Sequence, residues 1–136
     1  MNSSKRPINP ADLPEPVGFA HAWLVESGGV RTLYLAGQCA YDRSGPIRAP
    51  GDLVSQMELA MRNVGSVLRD AGMAYEDLVQ LNFYVTSRDD YATARQAFGK
   101  VWKELCGRHY PAMAMFMVVS LFDPDARIEI QGIAAQ

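Results

Sequence analysis

The chain has 136 residues, 49% hydrophobic and 21% charged, with a net charge of -2, which fits one domain large enough to bury a core of its own. Its thirteen Lys and Arg are scattered among fifteen Asp and Glu, so a basic stripe for nucleic acid is missing and a ribonuclease reading is disfavoured. No apolar run approaches the roughly 20 residues that span a bilayer, and residues 1–16 lack the apolar core of a signal peptide, so the expected location is the cytoplasm, away from membranes. Cys39 and Cys106 sit in no CxxC or zinc spacing, which disfavours both a metal site and a structural disulfide.

Residues 1–16 place Pro7, Pro10, Pro14 and Pro16 among polar residues, a composition that predicts an irregular N-terminal arm, with the domain proper spanning 17–136. From Val17 to Val25 large Phe19, His21, Trp23 and Val25 alternate with small Ala20 and Ala22, the period of a strand. Gly28-Gly29 makes a turn into a second strand, Arg31 to Cys39. There Leu33 and Leu35 share one face, and Tyr34, Ala36 and Gln38 the other.

Asp42-Arg43-Ser44-Gly45-Pro46 is dense in turn formers and predicts an exposed loop. Asp52 then caps a helix whose apolar positions, Leu53, Met57, Ala60, Met61, Val64, Val67, Leu68 and Ala71, recur at helical spacing up to Gly72. Val79 to Thr86 alternates as a half-buried strand. A second helix runs from a Ser87 or Asp89 cap to Cys106, with Tyr91, Ala94, Phe98, Val101, Trp102 and Leu105 on one face and Gly107 ending it. Two apolar runs follow, Ala112 to Val119 and Ala126 to Ala134, and the Asp123-Pro124-Asp125 loop between them predicts a β-hairpin. In the second run Arg127, Glu129 and Gln131 alternate with Ile128 and Ile130. Glu129 therefore sits mid-strand, where a buried carboxylate costs on the order of several kcal/mol unless it is paired.

The order β-β-α-β-α-β-β predicts an α+β domain with two helices on one face of a mixed sheet. Phe19, His21, Tyr34, Gln38, Asn82 and Tyr84 fall on the other face, too aromatic for water and too polar for a dry core. Such a face predicts cover by other subunits.

Three stretches resemble the RidA/YjgF (Rid) family of small trimeric proteins, once labelled endoribonuclease L-PSP. They are LYLAGQCAYD, then GSVLRDAGMAYEDLVQLNFYVT after Arg62-Asn63-Val64, and Tyr110-Pro111-Ala112 followed by RIEIQGIAA. The resemblance covers nearly everything after residue 16. It implies a chorismate-mutase-like fold, a homotrimer whose sheets form a central barrel, small-molecule clefts between subunits, and neither metal nor organic cofactor.

In the deaminase branch of that family an arginine after Pro-Ala binds the substrate carboxylate, and a glutamate in the last strand positions the attacking water. The resemblance assigns the glutamate role to Glu129 and puts Met113 at the arginine position. Met115 stands where cysteine is common, Phe19 where an aromatic residue often carries a hydroxyl, and Ala36 where serine precedes Gly-Gln, while Gly37 and Gln38 are kept. Hydrogen bonds to a charged group contribute about 1.5 to 3 kcal/mol each. Loss of the arginine thus predicts roughly tenfold to several hundredfold weaker binding of a small 2-imino acid, unless Arg95 or Arg127 supplies a displaced cation.

The candidate site is accordingly Glu129 as catalytic acceptor, with Phe19, His21, Ala36, Gly37, Gln38, Met113 and Met115 binding substrate. Several have a structural rival: Glu129 paired with Arg127 or a neighbouring subunit, His21 packed beside Trp23 and Phe19, and the methionines as ordinary core or interface packing. Cys106 and His109 are read as unrelated neighbours rather than a thiolate pair. The leading expectation is hydrolytic chemistry on an imine or enamine. The alternative is a non-catalytic trimer that binds a metabolite or another protein.

Overall fold

A helical stripe needs a defined start, and Asp52 provides it by accepting a hydrogen bond from the Ser55 backbone N–H at 3.0 Å, a cap that contributes about 1 kcal/mol. The helix that follows is α1 (Leu53–Asp70); its second counterpart, α2 (Arg88–Cys106), is capped in the same way by Ser87. The computed structural model describes residues 2–136. Around the helices run β1 (Ser3–Ile8), β2 (Ala22–Ser27), β3 (Val30–Gln38), β4 (Leu78–Val85), β5 (Ala112–Met117) and β6 (Ile128–Ala135).

All six strands form one sheet in the order β1-β2-β3-β6-β4-β5. Every pairing is antiparallel except β4 with β5. The helices cover one face, where Leu24, Leu33, Leu35, Leu81, Phe83, Val85, Ile128 and Ile130 meet Met57, Met61, Val64, Leu68, Phe98 and Trp102 in a single core. The class is the α+β mixed sheet that the periodicity predicts.

Four expectations need correction. Residues 3–8 of the presumed irregular arm form β1, paired with β2 from Ser3 opposite Ser27 to Ile8 opposite Ala22; as an edge strand it tolerates Pro7, whose missing N–H breaks no inner ladder. Leu13 is also buried, so the arm contributes to the core. The strand expected from Val17 begins only at Ala22, because Gly18 takes φ +80° and turns the chain out of extension.

The C-terminal runs do not form a hairpin. β5 and β6 are separated by β4, which pairs with β6 on one side and, in parallel, with β5 on the other. Adjacency in sequence suggested the pairing, but the loop between them is long enough to carry the chain across an intervening strand. Finally, β3 bulges between Leu35 and Gln38, spending one more residue than β6 over the same step. That extra residue turns Gln38 from the open face to the buried one.

Candidate functional site

The alternation of β6 buries Ile128 and Ile130 against the helices and directs Glu129 to the other face. There the register sets it opposite Tyr84 on β4, which in turn lies opposite Phe116 on β5. On its β3 side the carboxylate lies over Gly37 in the bulge. Any side chain at 37 would overlap it, since a Cβ there would meet Glu129 Oε1, Cδ and Cγ. Gly37 is required for this close approach rather than for an unusual φ.

Two cavities share Gly37 and Glu129. The larger, about 460 Å³, is walled by Phe19, Ala36, Cys39, Tyr41, Ile47 and Phe122. The smaller, about 230 Å³, adds Tyr84, Leu121 and Gln131, and within it the Tyr84 hydroxyl donates to Gln131 Oε1 at 2.5 Å.

Burial pushes the Glu129 carboxyl above the ordinary value of 4.5. Burial and the nearby Glu129 raise the Cys39 thiol to about 12, and burial also raises the Tyr41 phenol. Both neighbours keep their protons at neutral pH. Among the described residues Glu129 has no ion pair and no side-chain hydrogen bond. Arg127, the partner considered for it, binds Asp90 at 3.1 Å instead. The arrangement is a half-buried, unpartnered acceptor in a largely apolar cleft, able to take a proton from a molecule held against it.

Two buried amides on α1 fix the walls of this cleft. Asn63 donates to Cys39 O at 2.9 Å and Tyr41 O at 2.8 Å. Gln56 donates to Asp125 O at 3.0 Å and accepts from the Arg127 backbone N–H at 2.8 Å, just ahead of β6. Neither belongs to the apolar stripe, and a polar residue inside a helix's buried face is the signal that would have found them.

Of the expected site residues, Phe19, Ala36 and Gly37 line the cleft with Glu129. His21 and Gln38 do not. The His21 ring is fully buried, with Nε2 2.8 Å from Pro14 O and Nδ1 3.2 Å from Gln38 Nε2, while Gln38 Oε1 accepts from the Tyr41 hydroxyl at 2.9 Å. Held at both ring nitrogens, the packed imidazole braces the cleft from beneath.

Met113 and Met115 line a different pocket, on the helix side between α2 and β5, so within one chain they do not meet Glu129. Cys39, Tyr41, Leu121 and Phe122 are cleft residues that periodicity passes over, because they lie in loops. Cys106 and His109 form no catalytic pair: the thiol is buried and raised to about 12, and His109 Nε2 lies 2.7 Å from Leu78 O. Among the described residues no three His, Cys, Asp or Glu side chains gather as metal ligands, and no helix is long and apolar enough to cross a membrane.

The fold and this cleft define a class, and the comparisons name it. Residues 20–136 match the model of the family described as Endoribonuclease L-PSP. The chain belongs to that family, also called RidA/YjgF. It is 29% identical over 133 residues to the 2-iminobutanoate/2-iminopropanoate deaminase of Capra hircus, covering 97% of this chain and 90% of the relative. It is 33% identical over 135 residues to Protein mmf2, mitochondrial, of Schizosaccharomyces pombe, covering 98% of this chain and 99% of the relative. The crystal structure of RidA from an Antarctic Psychrobacter superposes with a TM-score of 0.78 at 26% identity, covering 95% of this chain and 98% of the other. Activity of the imine-deaminase kind is thereby supported at the level of the family.

Proposed function

We propose that the chain is a cofactor-independent hydrolase of small imines or enamines, working in clefts between the subunits of a homotrimer. The observation that carries the reading is the Glu129 carboxylate, unpaired among the described residues and set over Gly37 in a cleft of small-molecule size. In this reading Glu129 orients a water and takes one of its protons as the oxygen adds to the C=N carbon. The nitrogen gains a proton, the carbinolamine expels ammonia, and its hydroxyl proton leaves as the carbonyl forms. A base so positioned contributes roughly 10²- to 10⁴-fold.

Trp23, Tyr34 and Phe116 on the uncovered face favour the trimer, because apolar surface of that extent is ordinarily buried by a partner. The trimer is checked by mass in solution, expected at three times 15.0 kDa. The cytoplasmic location belongs to the same proposal and is checked by fractionation.

The apolar lining of Phe19, Ala36, Ile47 and Phe122 favours a second reading, binding without turnover. One experiment separates the two. Imines generated in situ, from 2-aminoacrylate to larger ones, are supplied to the purified protein and to Glu129→Gln. Hydrolysis accelerated by the wild type and lost in the variant supports the hydrolase, whereas no acceleration, or an unchanged rate in Glu129→Gln, removes it.

A further inference from the structure

The charges around the cleft over Gly37 limit what can enter it. Two of the residues that line its larger cavity are acids, Asp123 and Glu129, and none is Lys or Arg. The smaller cavity adds Tyr84, Leu121 and Gln131 and again no cation. The nearest arginines in the loops are turned to other partners. Arg48 binds Asp42, Arg43 donates to Ala11 O, and Arg127 binds Asp90. Within one chain Arg95 lines the pocket on the other side of the sheet.

The potential inside the cleft is therefore negative. Cys39 registers it: burial raises its thiol to about 12, and the charges of Glu129 and Asp123 push the same way. A carboxylate brought into this space meets like charge where water screens it poorly, a repulsion that discriminates strongly against the anion. A cation meets the opposite. The rest of the wall is apolar, from Phe19, Ala36, Ile47 and Phe122. Phe19 and Phe122 line the cavity while staying 55% and 104% exposed, surface that an apolar body would remove from water.

We infer that the cleft selects the iminium form of an imine that carries an aromatic or branched apolar body and no carboxylate. The inference deepens the hydrolase reading and rests on it. The positive C=NH2+ group lies toward Glu129 and Asp123, and its charge makes the carbon a better target for the water that Glu129 orients. The body lies against Phe19, Ile47 and Phe122. Iminium and water give an aldehyde or ketone and ammonium, so atoms and charge balance without an oxidant. Imines of this class are the immediate products of two-electron oxidation of apolar primary amines, which makes an amine oxidation the class of reaction that supplies the substrate. By the same token 2-imino acids are poor substrates.

The test uses two imines that differ by one carboxylate, generated in situ by oxidation of benzylamine and of phenylglycine. The loss of each is compared with its loss in the oxidase mixture alone, which normalises for intrinsic reactivity. The benzylamine imine should be accelerated roughly tenfold or more beyond the phenylglycine imine. Asp123→Asn should narrow that ratio roughly threefold or more, with the melting temperature measured to certify folding. Phe122→Ala should slow the benzylamine imine by roughly fivefold or more. Benzamidinium, a stable planar cation shaped like the iminium, should compete with it, and benzoate should not. Equal or greater acceleration of the phenylglycine imine, acceleration confined to 2-aminoacrylate, a ratio unmoved by Asp123→Asn, or competition by benzoate alone would overturn this substrate class while leaving the hydrolase standing. Acceleration of none of the three imines would remove the hydrolase and the substrate class with it.

Discussion

The two faces of the sheet carry residues from the same strands and serve opposite ends. On the covered face Leu33, Leu81, Ile128 and Ile130 are fully buried, and no fully buried side-chain polar atom among the described residues lacks a hydrogen-bond partner. On the open face Trp23, Tyr34 and Phe116 remain exposed, and the Glu129 carboxyl on that face has its pKa raised by burial. The contrast falls within a single step along one strand. Ile130 is fully buried in the core, and Glu129, next to it, holds a half-buried carboxylate that burial makes costly to ionise, the group proposed above to act on substrate.

The comparison is sharpened most by mutating these two neighbours. Glu129→Gln is expected to lower imine hydrolysis by about 10²- to 10⁴-fold without lowering the melting temperature, since it replaces a poorly solvated carboxylate with a neutral amide. Ile130→Ala should instead cost about 2 to 5 kcal/mol in denaturant unfolding. A stability loss in Glu129→Gln as large as that in Ile130→Ala would break the division. Asn63→Leu comes next. It strands the carbonyls of Cys39 and Tyr41, for a cost of about 1 to 3 kcal/mol, and it should raise KM more than it lowers the melting temperature of the core.

The pH dependence is smaller and has a definite sign. Glu129 has a higher pKa folded than unfolded, so the native state binds more protons in the window between the two values. Its contribution to stability is therefore fullest at low pH and is lost as pH rises through the folded pKa. The difference in unfolding free energy between wild type and Glu129→Gln should follow that titration, and the acid limb of kcat/KM should lie above 4.5, the ordinary glutamate value. Smallest of all is Tyr34→Ser. On the uncovered face it should change the stability of an isolated chain by less than about 0.5 kcal/mol, while raising the protein concentration needed for trimer assembly as measured by light scattering.

The parts of the fold legible in the sequence were those set by local rules. Both helices were legible from their stripes and from the Asp52 and Ser87 caps, and β6 was legible from the alternation that singled out Glu129. Pairing was harder, because the β4–β5 parallel contact is non-local and two apolar runs joined by a turn-rich loop look alike whether they pair with each other or flank a third strand. The face of Gln38 was hidden for a different reason. A bulge leaves composition and periodicity almost unchanged, yet reverses every side chain beyond it. Glu129, Phe19, Ala36 and Gly37 line one cleft, whereas His21 and Gln38 satisfy each other in the interior, and the two methionines line a pocket on the reverse side.

The paired amides on α1 have a consequence for how this cleft can diversify. Asn63 and Gln56 are fastened to main-chain atoms, so the span between the two loops is dictated by one rigid rod and is indifferent to which side chains those loops display. New linings at Phe19, Ala36, Cys39 or Phe122 could therefore be sampled one at a time without respacing the frame, leaving ligand preference free to drift while the scaffold stays put.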